Sequence, residues 1–147
     1  MTISFSTQKE FSVEQLFALY DSVGWTAYTK DISGLQTGLT HSGLVISAWE
    51  DEKLVGLIRT LTDGQTIAYI QDILVRPDYH KQGVGSQLMR QMLAKLTGMR
   101  QIVLMTDARE ENTPLYDWYR SFGFKSYEEL GTTGFAIFDL GEAEANL

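Results

Sequence analysis

The segment from Thr66 to Leu96 constrains this chain more than any other. Thr66 to Val75 reads as a strand that Arg76-Pro77-Asp78 then stops, because proline cannot extend a ladder. Gly83 and Gly85 open a run in which Val84, Leu88, Met89, Met92, Leu93 and Leu96 recur at helical spacing. Gly98 ends that helix, and Gln101 to Thr106 reads as a second, buried strand. A strand, a crossover helix and another strand make an adjacent parallel pair, joined right-handedly. An all-helical or all-β chain is thereby excluded.

The remaining elements arrange themselves around that unit. Thr2 to Ser6 alternates like a short strand. Ser12 to Val23 carries Val13, Leu16, Phe17 and Tyr20 at helical spacing, with Ser12 as N-cap. Asp31 to Gly38 suits a second helix, and Asp21 to Tyr28 a loop between the two. Gly43 to Trp49, Lys53 to Leu61 and Thr66 to Val75 form an antiparallel meander turning at Asp51-Glu52 and Thr62-Asp63-Gly64. Pro114 fits the first turn of a helix that Asn112 or Thr113 caps and Gly123 stops. Gly134 to Leu140 reads as a closing strand, and the acidic tail 141–147 as frayed. The expectation is one α/β domain over residues 1–147, with a mixed, mostly antiparallel sheet.

Composition narrows the chemistry. The chain has 147 residues, 44% of them hydrophobic, enough for a core without metal or disulfide. It has no cysteine and two histidines, His41 and His80, which removes thiolate chemistry and leaves little for a metal site. Twelve Lys and Arg against nineteen Asp and Glu give a net charge of −7, which disfavours nucleic acid as a partner. The N-terminus lacks a signal-peptide pattern, and no apolar run reaches the roughly 20 residues of a membrane span. A cytoplasmic protein is the expectation.

The glycine loop is the exception to the acidic balance. Arg76, His80 and Lys81 cluster in front of the helix that starts near Gly83. The first amides of a helix have no partner inside it and point outward along the positive end of the dipole, which suits an anion, phosphate above all. Two glycines also serve simply to turn the chain, so the loop alone is a weak signal. The run Gly-x-x-x-x-Gly-Lys-Ser/Thr is absent. A dinucleotide fingerprint also fails. Leu88 stands at the third glycine position, seven residues separate Val75 from Gly83, and only 40 follow Asp107.

Val75 through Gly85 resembles the acyl-CoA-binding motif of the GNAT superfamily of N-acetyltransferases, Gln/Arg-x-x-Gly-x-Gly/Ala after a strand. His80 stands where the family prefers Gln or Arg; backbone amides do most of the loop's work, so the site is expected to survive. Asn112, Tyr119, Gly123 and Phe124 are similar to the family pattern Asn-(x)6-Tyr-(x)3-Gly-Phe. The element order follows the family along nearly the whole chain.

The resemblance implies acetyl-CoA as the cosubstrate. It implies that the amides of Gln82, Gly83, Val84, Gly85 and Ser86, beside His80 and Lys81, hold the pyrophosphate. The backbone of Ile73, Leu74 and Val75 would pair with the pantetheine arm where the parallel strands splay, a bulge aiming an N–H at the thioester carbonyl. Tyr119 would protonate the departing thiolate, with Asn112 facing the cofactor two turns away. A phenol near pKa ~10 and a thiol near ~8.5 make that transfer cost about 2 kcal/mol. Tyr119 also fits a core aromatic beside Trp118 and Phe122.

The amine's base is open on the residues alone. Asp72 is a carboxylate within an apolar strand, either a base or a buried aspartate held by backbone hydrogen bonds. Simple alternation places Tyr69 and Gln71 on the opposite face, where either could orient a water. Trp25 and Tyr28 offer aromatic faces to a cationic acceptor or pack as ordinary core residues. Arg59 and Asp63 are further acceptor candidates near a strand end. The leading function is transfer of an acetyl group to a primary amine of a small molecule. The alternatives are a CoA-binding regulatory module without turnover and a protein or peptide amine acetyltransferase. By analogy with the family, a homodimer is expected.

Overall fold

The computed structural model describes residues 2–139. Contacts divide the chain between Thr106 and Asp107 into two compact units.

The first unit is built on a five-stranded sheet in the order β1-β2-β3-β4-β5: Ser4–Ser6, Leu44–Glu50, Lys53–Thr62, Ile67–Val75 and Gln101–Leu104. β4 and β5 are parallel and every other pair is antiparallel. Helix α1 (Val13–Ser22) starts at Ser12 in a reciprocal capping box with Gln15, both bonds 3.1 Å. The expected loop after it contains a short helix, α2 (Thr26–Thr29), and α3 follows at Ile32–His41. At four residues, α2 is too short for a periodicity argument to reveal.

Leu16, Leu19 and Tyr20 of α1 and Leu35 and Leu39 of α3 pack on Val45, Leu54, Leu57 and Leu74 of the sheet. On the opposite face lies α4 (Val84–Lys95), whose Val84 and Leu88 close on Gly56 of β3. Burial of Val84, Leu88, Met89 and Met92 is worth about 2 kcal/mol each. That outweighs the ~1 kcal/mol of a side-chain cap, which α4 does without at its N-terminus.

β5 stops at Leu104 and its residues are half-buried or exposed, where a longer, buried strand to Thr106 was expected. A strand with a neighbour on one side only keeps one edge open.

The second unit holds a 3-10 turn at Glu110–Asn112, helix α5 (Thr113–Ser121) and a turn at Glu128–Leu130. Trp118 packs edge-on against Phe122 at 5.0 Å, and Tyr119 against Phe124 at 6.2 Å. The expected closing strand from Gly134 does not form over residues 134–139, where Phe135, Ile137 and Phe138 are exposed. A short apolar run suits a ladder, but a strand exists only with a neighbour to pair with. Leu140 and the tail 141–147 lie outside the described residues.

Candidate active site

The parallel ladder between β4 and β5 runs from Ile67↔Gln101 to Ile70↔Leu104 and ends there. β4 continues for five more residues, Gln71 to Val75, against β3 alone. Arg76 N donates to Val55 O at 2.8 Å, so backbone alternation turns the amides of Ile73 and Val75 toward the open side. Among the described residues the parallel ladder thus stops short of Ile73, Leu74 and Val75.

A bulge sits at the head of this edge. Arg59 and Thr60 are consecutive on β3, yet they pair with Asp72 and Ile70, leaving Gln71 without an opposite residue. This corrects the face assignment drawn from alternation. Arg59 and Leu61 share a face of β3 and lie opposite Asp72 and Tyr69. Tyr69 and Asp72 therefore share a face as well, because the extra residue resets the alternation.

Beyond Val75 the chain makes a short turn, Pro77–Tyr79, and then reaches α4. Lys81 and Gly83 both take left-handed backbone, at φ 67° and 77°. For Gly83 this conformation is free of steric cost. The first intrahelical bond of α4 runs from Gln87 N to Gly83 O, so the amides of Val84 and Gly85 precede the helical ladder. Lys81, Gln82 and Gly83 are exposed. His80 does not point its ring at an anion. Its Nε2 donates to Val75 O at 2.9 Å and ties the loop back to the strand.

On the face beneath the bulge, four elements deliver a polar cluster. Asp72 is 2% exposed. Its Oδ2 accepts from Arg59 Nε at 2.8 Å and from Tyr20 OH at 3.0 Å, and its Oδ1 from Tyr28 OH at 2.8 Å. The carboxylate is thus held by side chains, not by the backbone bonds anticipated for it. The Tyr28 oxygen in turn accepts from Arg59 Nη2 at 3.2 Å and Gln71 Nε2 at 3.1 Å. Gly38 of α3 approaches the cluster closely: a Cβ there would lie 3.2 Å from Arg59 Nη1, a tight contact.

The electrostatics follow from burial. Burial, reinforced by Asp72, pushes both the Tyr20 and Tyr28 phenols above their ordinary range. Burial pulls the Arg59 guanidinium down, but Asp72, Tyr28 and Tyr20 outweigh it and hold it above its usual value. The cluster therefore carries a compensated ion pair capped by neutral phenols.

Trp25 and Tyr28 are half-buried and packed against the core, their rings 6.3 Å apart. Tyr28 stands within hydrogen-bond reach of Asp72 and Gln71, whereas Trp25 joins only through the Tyr20 and Tyr28 rings. Asp63 lies instead in the β3–β4 turn, accepting from the amides of Gln65, Thr66 and Ile67. Those bonds and the Thr66 hydroxyl hold its carboxyl well below the usual range. Asn112 and Tyr119 belong to the second unit. Asn112 precedes α5, its Nδ2 donating to Asp107 O at 3.3 Å. Sequence reasoning named Arg59 only loosely and missed Tyr20 as a polar group. Tyr20 sits on the apolar stripe of α1, where nothing local distinguishes it from core.

No helix among the described residues is long and apolar enough to cross a membrane, and no acid–histidine cluster there could hold a metal ion. Residues 10–124 match the family model for acetyltransferases of the GNAT family. Among solved structures, the chain is similar to the GNAT-family protein SP0256 of Streptococcus pneumoniae. The identity is 32%, the TM-score 0.79, and the match covers 95% of this chain and 99% of that one. Among curated proteins it is 29% identical over 123 residues to the uncharacterized N-acetyltransferase ycf52 of Porphyra purpurea, covering 81% of this chain and 68% of that one. It is 30% identical over 140 residues to histone acetyltransferase TAP1 of Glycine max, covering 86% and 58%.

Proposed function

The chain belongs to the GNAT family of acetyltransferases, and on that premise we propose that it moves an acetyl group from acetyl-CoA to the primary amine of a small molecule. The observation that carries this reading is the end of the β4–β5 ladder at Ile70↔Leu104, five residues short of the end of β4. An unpaired parallel edge that runs into an uncapped helix N-terminus fits a ligand with an amide-bearing arm and a phosphate end.

The residues divide the work. Amides of Ile73 and Val75 pair with the arm, and one of them polarises the carbonyl under attack. The loop amides from Gln82 to Ser86 and the charge of Lys81 hold the phosphates, while His80 braces the loop. Acetyl-CoA would supply the activated thioester: the amine nitrogen bonds to the acetyl carbon, the C–S bond breaks, and CoA leaves as a thiolate. By analogy with the family pattern, Tyr119 protonates that sulfur and Asn112 faces the cofactor.

The acceptor ammonium must first lose a proton. Of the two roles open to Asp72, its surroundings favour organising over accepting. A proton taken by Asp72 would leave the buried Arg59 without its counter-ion. Asp72 instead holds Tyr28 and Gln71 in place, and a water beside Gln71 and Tyr69 takes the proton. The net charge of −7 favours a cationic acceptor. A lysine side chain is the second reading, supported by the likeness to a protein named for histone acetylation.

The experiment is acetyl-CoA turnover, read as released thiol, against polyamines, arylalkylamines, amino acids, aminoglycosides and a lysine peptide, with calorimetric CoA binding alongside. Turnover with one small-amine class is the expected result. Turnover of the peptide alone moves the acceptor to proteins, and tight CoA binding without turnover points to a regulatory module.

A further inference from the structure

The cofactor loop is pinned to the β2–β3 hairpin by residues that the family pattern does not single out. Glu50 and Lys53 face each other across a two-residue turn in which Asp51 takes left-handed backbone, φ 52°. Tyr79, 6% exposed in the turn between β4 and α4, lies between them. Its hydroxyl donates to Glu50 Oε1, and Lys53 Nζ stands 5.1 Å from its ring centroid. Directly before that turn begins, Arg76 is bonded to the same hairpin strand, through N to Val55 O and through Nε to Leu54 O at 2.7 Å.

After Tyr79 the character of the chain changes. His80 reaches back to Val75, and Lys81 and Gly83 are left-handed and exposed. Tyr79 is the last side chain buried against the sheet before the amides that meet the anion, and Val84 is the next one buried. The direction of those amides is therefore set by two fixed ends, and Tyr79 is one of them. A phenylalanine would fill the same space, so the hydroxyl serves register, not packing.

We propose that Tyr79, seated on Glu50 and Lys53, is the positioning residue that holds the cofactor loop in its anion-binding shape. This rests on the acetyl-CoA reading above. Glu50 and Lys53 then belong to the cofactor site although neither touches the ligand.

Two measurements on the full chain test it together: calorimetric binding of CoA, and amide hydrogen exchange of the CoA-free protein. In Tyr79→Phe and Glu50→Ala the CoA Kd is expected to rise about five- to tenfold, the scale of one ordinary hydrogen bond coupled to the site. Exchange over residues 80–86 should quicken while the sheet stays protected, and the acceptor KM should not move. Glu50→Gln, which still accepts from Tyr79, should restore both within about twofold. An unchanged Kd in folded Tyr79→Phe overturns the proposal, whether or not exchange changes. Uniform loosening of the sheet overturns it too, by making the contact merely structural. If wild-type protein binds no CoA, the acetyl-CoA reading fails, and the exchange data alone decide whether Tyr79 holds the loop.

Discussion

Arg59 Nε and Asp72 Oδ2 meet at 2.8 Å across β3 and β4, on the pair of residues that directly adjoins the Gln71 bulge. A buried ion pair is costly to assemble but far more costly to break. Here it secures the point where the sheet changes alternation, and with it the hydroxyl of Tyr28.

Removing one partner should therefore destabilise the protein strongly. Asp72→Asn or Arg59→Met is expected to lose about 3 kcal/mol in urea denaturation, since each leaves a buried charge or donor unpaired. The double variant Arg59→Met/Asp72→Asn, which keeps an acceptor for the Tyr20 and Tyr28 hydroxyls, should lose clearly less than the sum of the two. Additive losses in the double variant would contradict the pairing.

Tyr28 collects the bonds of Asp72, Arg59 and Gln71 on one oxygen. Tyr28→Phe should raise the acceptor KM about tenfold, the scale of one lost hydrogen bond of ~1.4 kcal/mol, and leave the acetyl-CoA KM unchanged. Trp25→Ala should also raise the acceptor KM selectively. Equal changes in both KM values would place these residues outside the acceptor wall.

Tyr119→Phe should lower kcat by about 10²-fold or more while CoA binding persists, as expected on removing a general acid. Full activity across the pH range would assign the proton to another donor.

Gly83 takes φ 77° with no atom within 4 Å of where a Cβ would lie. Any cost of Gly83→Ala is then backbone strain, about 1–2 kcal/mol. A fall in thermal stability of that size should accompany weaker CoA binding. Gly83→Asn should lose less of both, because asparagine tolerates left-handed backbone.

The phenols predict a pH window. The folded-state values of Tyr20 and Tyr28 lie above their unfolded value near ~10, so their neutral forms favour the fold. That contribution is complete below pH ~10 and disappears only as pH rises through the raised values. In a spectrophotometric titration of the seven tyrosines, at least these two should ionise late or only with unfolding. Tyr28→Phe should remove one late-ionising group. A single transition near pH ~10 in the folded protein would contradict the cluster.

Much of the fold was legible because its signals are local. Ser12 and Gln15 bond each other within one turn, and the stripe from Val84 to Met92 lies on one side of one helix. The Val75–Gly85 run announced a strand, a loop and a helix start through residue types whose backbone preferences travel with them. Asp72 also stood out, as a carboxylate in an apolar strand.

Other features required the chain to be folded. Alternation assigned Tyr69 and Asp72 to opposite faces, and only the pairing of Arg59 and Thr60 with Asp72 and Ile70 reveals the extra residue between them. A bulge is a property of two strands, so one strand's sequence does not contain it. The partners of Asp72 come from positions 13 to 52 residues away, and chain proximity says nothing of them. The strand expected from Gly134 has a suitable apolar run but no ladder over residues 134–139. Short-range chemistry determined most of the helices and strands and the position of the glycine loop between β4 and α4. The tertiary structure decided which polar groups share a face, which edge stays open, and how Asp72 is held, because each of those depends on pairings between distant segments.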